Sequence, residues 1–439
     1  MSNPFPLSQE VIYKFREELG IKTLAHASIR QIVYLVNKLQ EKYGVQFIRT
    51  EMGVPGLPAP SIGVDAEIEA LKSGVASIYP PIEGIPALKQ ELSRFAKLFL
   101  NIEISPDVCI PTVGAMQASM LLFLVANRRD ALKDTTLFID PGFPVQKRQL
   151  GVLGMKYESF DIYNYRGDKL RDKLESYLKK GNISTFLYSN PNNPAWICFT
   201  ENELKIIGEL ANKYDVVVLE DLAYFGMDFR EDFGRPGEPP YQPTVANYTK
   251  NYALIFSSSK VFSYAGQRTG AMLISDDLFH KQFPNLSGWF VSDVFGRAVL
   301  QEAMYTASAG TAHSSQAGFA AMLKAANDGT YDFIGNVREY GKRATTMKRL
   351  FLANGFKIVY DHDEEKELAD GFYFTICYPG MTGEELLGEL LRFGISAITL
   401  DTTGSSRTEG LRICVSQTSS DRFADMEDRL KLFQAVHDK

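Results

Sequence analysis

Four cysteines in 439 residues, Cys109, Cys198, Cys377 and Cys414, lie far apart with no CxxC pair. That excludes a disulfide framework, and the apolar sequence around each predicts buried, reduced thiols in a cytoplasmic protein. Histidine is scarce too: His26, His280, His313, His362 and His437 show no metal-ligand spacing, so no metal is expected. A basic excess is missing, since 47 Lys and Arg against 53 Asp and Glu leave a net charge of −6. This argues against a nucleic-acid partner. No apolar run approaches the length of a membrane span, and Met1–Leu7 carries neither the basic nor the apolar region of a leader, so no membrane association is expected. A GxSxG elbow is absent, and Gly341-Lys342-Arg343 lacks the leading glycine and the hydroxyl of a P-loop.

What is present is the pattern of a large α/β chain. The length exceeds what one hydrophobic core serves, so more than one domain is expected. Within residues 8–50, Ile29, Ile32, Val33, Val36 and Leu39 recur at helical spacing and predict a helical arm. Three prolines and two glycines in Met52–Pro60 then forbid regular structure and let backbone amides approach a ligand. Short helices are expected over 64–73 and 85–100. Strands at about 108–113, 136–140, 154–160, 185–188, 216–221, 251–256 and 271–274 are interleaved with helical segments. Such alternation predicts a mostly parallel sheet covered by helices, with ligands beyond the carboxyl ends of its strands. Residues 231–245 read as a solvated loop. The small-residue stretch 306–321 leads into an amphipathic helix over about 331–352, and thence to a smaller α+β unit. That unit is expected to hold strands at 357–360, 372–377, 395–399 and 410–415, helices at 383–392 and 421–435, and a solvated hairpin in the acidic run 361–367. The expected division is an N-terminal arm and substrate loop (1–60), a large cofactor-binding domain (61–325) and a small C-terminal domain (326–439), the arm being built into the smaller unit.

One string focuses the chemistry. The apolar run 252–256 ends in Ser257-Ser258-Ser259-Lys260, with Arg268 and Gly270 following. A lysine where a buried strand meets a cavity has a lowered pKa and a nucleophilic amine, and an anion fits among the hydroxyls with Arg268 over it. Read alone, the string also suits a strand ending at the surface. Other strand ends add to it. Asp221 closes a β-branched strand with Tyr224 three residues on, Asn193 sits between Asn192 and Pro194, and Phe143 lies on a proline-flanked turn. Gly114-Ala115-Met116 opens a helix whose free N–H groups suit a phosphate.

These segments resemble the class I/II aminotransferases that depend on pyridoxal 5'-phosphate and share the aspartate-aminotransferase-like fold. The matching features span Gly53 to Arg412. Ser189-Asn190-Pro191-Asn192-Asn193-Pro194, Asp221 with Tyr224, and Ser257-x-x-Lys260 with Arg268 are the most specific. The resemblance implies transamination between an L-amino acid and a 2-oxo acid. Lys260 is then the residue that holds the cofactor as its imine, Asp221 the partner of the pyridine nitrogen, and Asn193 and Tyr224 the donors to its phenolic oxygen. Gly114, Ala115, Met116, Ser257 and Arg268 match the phosphate site, and Phe143 the stacking aromatic. Tyr79 resembles a tyrosine that reaches the neighbouring subunit's cofactor, implying a homodimer with shared active sites. Arg412 and Gly53 match the grip on the substrate carboxylate. Two departures stand out: Ala195-Trp196 replaces the usual Thr-Gly after Asn-Pro, and Leu222 follows the aspartate in place of Glu. On the same fold a β-eliminating lyase, an amino-acid decarboxylase or a non-catalytic cofactor-sensing regulator remain alternatives. Arg407, or an arginine of a partner subunit, is a candidate for a second substrate carboxylate.

Overall fold

The computed structural model describes residues 5–438, so the first four residues of the Met1–Leu7 stretch read as lacking a leader lie outside the described residues. Seven strands make the central sheet, in the spatial order Cys109–Thr112, Gly270–Ile274, Tyr252–Ser257, Val217–Asp221, Ile183–Ser189, Thr135–Asp140, Lys156–Asp161. Six run one way, and Gly270–Ile274 alone opposes both of its neighbours. The reason lies in the connection from Ser257 to Gly270, which carries only a short 3-10 turn and no crossover helix, so the chain returns antiparallel. Every residue of Val217–Asp221 and Tyr252–Ser257 is buried, as expected for central strands covered on both faces.

The helices start and stop where their side chains dictate. Ser28 and Gln31 form a capping box at the start of Ile29–Tyr43, and Gly44 ends that helix with a left-handed backbone. Thr200 and Glu203 do the same for Glu201–Tyr214. The N-terminal arm is stitched to the C-terminal part by Ile48–Arg49, which pairs in parallel with Ile395–Ser396. A second, antiparallel sheet runs Ile398–Thr399, Leu411–Cys414, Tyr373–Cys377, Lys357–Ile358, with helices Glu339–Ala353, Gly383–Arg392 and Phe423–His437 around it. The α/β class with an additional α+β unit is therefore the architecture observed. All four cysteines are free. Among the described residues no helix is long and apolar enough to cross a membrane.

Four local expectations need correction. The helix anticipated over 331–352 is two, Phe333–Val337 and Glu339–Ala353, the first capped by the Asp332 carboxylate on the Gly335 N–H. The strand anticipated over 395–399 divides between two sheets. Half of the small-residue stretch belongs to a helix, His313–Asn327, packed on Ser61–Lys72 and Pro86–Leu100. Glycines permit the close approach: a Cβ at Gly318 would sit 2.7 Å from the Gly63 carbonyl oxygen. The acidic run does form a hairpin, His362–Asp363 against Lys366–Glu367, but Asp363 is not solvated. Its buried carboxylate takes Arg166 at 3.0 Å and Arg230 at 2.9 Å, which draws the hairpin onto the central sheet's loops.

Candidate active site

Because six strands share a direction, their carboxyl ends share one edge of the sheet. Gly114, Phe143, Asn193, Asp221 and Ser257 each follow or close one of those ends, and Arg268 precedes the reversed strand at the same edge. A cavity of about 580 Å³ opens there, lined among others by Gly53, Ala115, Phe143, Asn193, Lys260 and Arg412. A volume of that order suits a cofactor-sized ligand.

Lys260 reaches the cavity from the turn after Tyr252–Ser257, and its Nζ donates to the Gly53 carbonyl oxygen. Burial lowers its pKa to about 8, an effect opposed by Cys414 and reinforced by the cations of Arg412 and Arg268. Asp221 stands on the neighbouring strand. Its carboxylate accepts from the Gln146 Nε2 at 2.9 Å and from the Ala223 N–H at 3.0 Å, and no cation pairs with it among the described residues. Burial raises its pKa to about 6, against those two hydrogen bonds. A buried carboxylate without a cation is costly unless a ligand brings one.

A helix N-terminus, Ser257 and Arg268 line the same cavity. No side chain caps the helix Gly114–Ala126, so the first N–H groups face the cavity beside Ala115 and Met116 with the helix dipole behind them. Gly114 has φ 68, and a Cβ there would lie 2.7 Å from the Arg268 Nη2. Arg268 has no ion-pair partner among the described residues, and Ser257 Oγ accepts only from the Ser259 N–H at 3.2 Å. One guanidinium and one hydroxyl thus share the cavity with a helix N-terminus.

Arg412 is 1% exposed. Its Nη1 donates to the Asn193 Oδ1 at 3.1 Å, its Nη2 to the Glu51 carbonyl oxygen, and its Nε is buried without a partner. No carboxylate of the described residues pairs with it. Glu51 gives its own carboxylate to Arg49 and Ser396. Arg412 therefore forms no structural ion pair among the described residues, and its guanidinium keeps unsatisfied donor capacity at the cavity.

Sequence reasoning missed several cavity residues. Gln146 and Tyr373 come from a helix and from the second sheet, where no motif flags them. Ser189 and Ser259 sit inside segments already singled out. Ile29 and Val33, cited above only for the helical spacing of the arm, line the cavity partly exposed, while Ile32 and Val36 of the same helix are buried. Tyr224 is brought to the site, but its hydroxyl lies 2.6 Å from that of Tyr373. Tyr79 is not brought there: it is 90% exposed on the surface. Arg407 is also elsewhere, paired with Glu409 at 2.8 Å and stacked on Tyr163.

A lysine, a cation-less carboxylate and a helix N-terminus beside Arg268 at one sheet edge thus share a cavity with Arg412 of the second sheet. The sequence profile of the family Aminotransferase class I and II matches residues 55–424, and the chain belongs to that family. It is similar to a probable aspartate aminotransferase of Methanocaldococcus jannaschii, 25% identical over 257 residues, covering 58% of this chain and 63% of that protein. It is also similar to the LL-diaminopimelate aminotransferase of Halothermothrix orenii, 27% identical over 236 residues, covering 52% and 57%. The matched stretch thus spans about three fifths of those relatives' lengths. Among solved structures, an aminotransferase from Mycobacterium tuberculosis shares the fold with a TM-score of 0.77 at 16% identity, over 93% of this chain and 96% of that one.

Proposed function

We propose that this chain is a pyridoxal 5'-phosphate-dependent aminotransferase moving an amino group between an L-amino acid and a 2-oxo acid. The observation that carries this reading is that the buried Lys260 amine, in the turn after Tyr252–Ser257, and the cation-less Asp221 carboxylate, at the end of the neighbouring strand, line one cavity. The residues fit the cofactor: Asp221 lacks the cation that a pyridinium N–H would supply, and the uncapped turn at Gly114, with Ser257 and Arg268, lacks an anion. When bound, the cofactor supplies the carbonyl that takes the amino group and the ring that absorbs electrons from the substrate Cα.

The chain's own groups do the rest. Lys260 Nζ, whose pKa burial brings down to about 8, offers more neutral amine near neutrality than an ordinary lysine does, and it would link to the cofactor and later take the substrate Cα proton. Asp221 holds the ring nitrogen protonated, and Gln146 and the Ala223 N–H keep its carboxylate aimed. Arg412 grips the α-carboxylate and so orients the Cα–H bond, while Asn193, bonded to it, fixes the plane of the guanidinium. Phe143 would cover the ring, and Tyr224 and Asn193 would face its phenolic oxygen, all three lining the cavity. Relatives named as aspartate and LL-diaminopimelate aminotransferases support amino-group transfer over the eliminating, decarboxylating and regulatory alternatives.

Further parts of the reading concern organisation. The division at 1–60, 61–325 and 326–439 is supported by the two separate sheets and by the strand that stitches the arm to the second of them. A homodimer is supported by the exposed apolar residues Ile62, Ile68, Leu71 and Ile78 and by the exposed Tyr79, a side chain free to enter a partner's site, and a cytoplasmic location by the four free cysteines.

A single-turnover screen tests the activity: purified holoenzyme is mixed with each amino acid while the visible cofactor band is followed. Loss of the band with stoichiometric 2-oxo acid supports the reading. Release of ammonia or carbon dioxide in its place contradicts it.

A further inference from the structure

Tyr224 and Tyr373 come from different sheets, yet each hydroxyl has the other as its sole hydrogen-bond partner among the described residues, at 2.6 Å. Two O–H protons meet in one bond, so one proton remains for something else. Its position is fixed by what surrounds each oxygen. Gly53 is packed directly on the Tyr373 oxygen, where even a Cβ would collide with it. The Tyr373 oxygen has no room for another ligand there. Either oxygen can donate in this bond; with Tyr373 as the donor, the Tyr224 proton is the one left for the cavity that both residues line.

Tyr373 touches the substrate side of the site as well. In the antiparallel ladder Thr375 stands opposite Arg412, which places Tyr373 diagonally from Arg412 on the same face. The guanidinium lies over the Tyr373 ring at 4.5 Å. Behind this pair sits Trp196, 1% exposed, edge-on to Tyr224 at 5.4 Å and to Tyr373 at 6.0 Å. Trp196 adopts φ 66, a left-handed backbone that bulky side chains rarely take, and such strain persists only where the surroundings demand it. The indole thus wedges the two tyrosines forward.

We propose that Tyr373 is a positioning residue: its hydroxyl aims the Tyr224 O–H at the phenolic oxygen of the bound cofactor, and its ring seats the Arg412 guanidinium. The inference rests on the aminotransferase reading of the site. A hydrogen bond received by Tyr224 polarises its hydroxyl and strengthens the bond it gives. That favours the anionic phenolic oxygen and the deprotonated form of the chromophore. Removing the Tyr373 hydroxyl weakens the chain at its start.

The test is a pH titration of the visible band in holoenzyme. Tyr373→Phe keeps the ring and removes only the hydroxyl, so the midpoint rises by about half to one pH unit while KM for the amino acid changes less than about threefold. Tyr373→Ala removes the seat too, and KM rises by at least about tenfold. In a Tyr224→Phe background, adding Tyr373→Phe leaves the midpoint where Tyr224→Phe alone puts it, a coupling that a general packing defect does not produce. A Tyr373→Phe midpoint equal to wild type, or a double variant whose shifts simply add, overturns the inference alone. A wild-type protein that forms no visible band with the cofactor overturns the aminotransferase reading along with it.

Discussion

The Arg412 guanidinium donates to the Asn193 side-chain oxygen at 3.1 Å, joining the last strand of the second sheet to the loop after Ile183–Ser189 in the first. The bond spans 219 residues of sequence and ties the proposed carboxylate grip to the proposed cofactor pocket. Replacing Arg412 with Lys keeps a charge but loses the fork and the Asn193 bond. With charge-assisted hydrogen bonds worth about 1.5–3 kcal/mol, kcat/KM should fall by about 10- to 150-fold, mostly through KM. Steady-state kinetics with an amino acid and with the corresponding amine check it: the amine, lacking the carboxylate, should be nearly indifferent to the change.

Asp221 makes the apo-protein's stability depend on pH in a particular direction. Its folded pKa, about 6, lies above its ordinary 3.8, so between these values the folded state holds more protons than the unfolded one. Stability contributed by the neutral acid is complete below pH 3.8 and is lost as pH rises through 6. The loss amounts to about 3 kcal/mol at 1.36 kcal/mol per pH unit. Apo Asp221→Asn should therefore be more stable than apo wild type at pH 7 and equal to it near pH 4. Cofactor should reverse the order at pH 7, because the ring N–H supplies the missing cation. Urea unfolding with and without cofactor measures both.

Gly114 is where backbone and ligand geometry coincide. Alanine there must hold φ 68 and push its Cβ to within 2.7 Å of the Arg268 Nη2. The left-handed backbone costs about 1 kcal/mol and Arg268 is displaced from the anion cup. Cofactor Kd, from titration of the apo-protein, should rise by about tenfold or more, with little change in the affinity for an amino acid once the cofactor is covalently bound.

Trp196 occupies a position with a glycine-like backbone, φ 66, so glycine would relieve strain there. It would also empty a fully enclosed space beside Gly371, Tyr224 and Tyr373. The cavity term for a buried Trp, about 3–5 kcal/mol, exceeds the backbone relief of about 1 kcal/mol. Trp196→Gly should consequently lower the unfolding midpoint.

The sequence made the sheet edge legible because Asn193, Asp221, Ser257 and Lys260 all follow apolar strands, and parallel strands must deliver their ends to one place. Arg412 was legible as a lone cation between apolar neighbours. Tyr373 and Gln146 were not, since each lies inside an element whose periodicity speaks only of packing, and what they touch is decided by how two sheets meet. The reversed strand Gly270–Ile274 reads like its parallel neighbours, because burial on both faces erases the difference in pattern. The helix His313–Asn327 was hidden by its alanines and glycines, small for the sake of close helix contact and therefore poor in apolar contrast. Asp363 looked like one more solvated acid in a charged run, and only the arrival of Arg166 and Arg230 from far upstream explains its burial.

The central claim is that Lys260 holds the cofactor. Borohydride reduction of holoenzyme, followed by peptide mass mapping of wild type and Lys260→Ala, tests it most directly. The account predicts a pyridoxyl mass on the peptide containing Lys260, and neither adduct nor visible band nor turnover in the variant. An adduct on another lysine, or a variant that keeps the wild-type band, would contradict it.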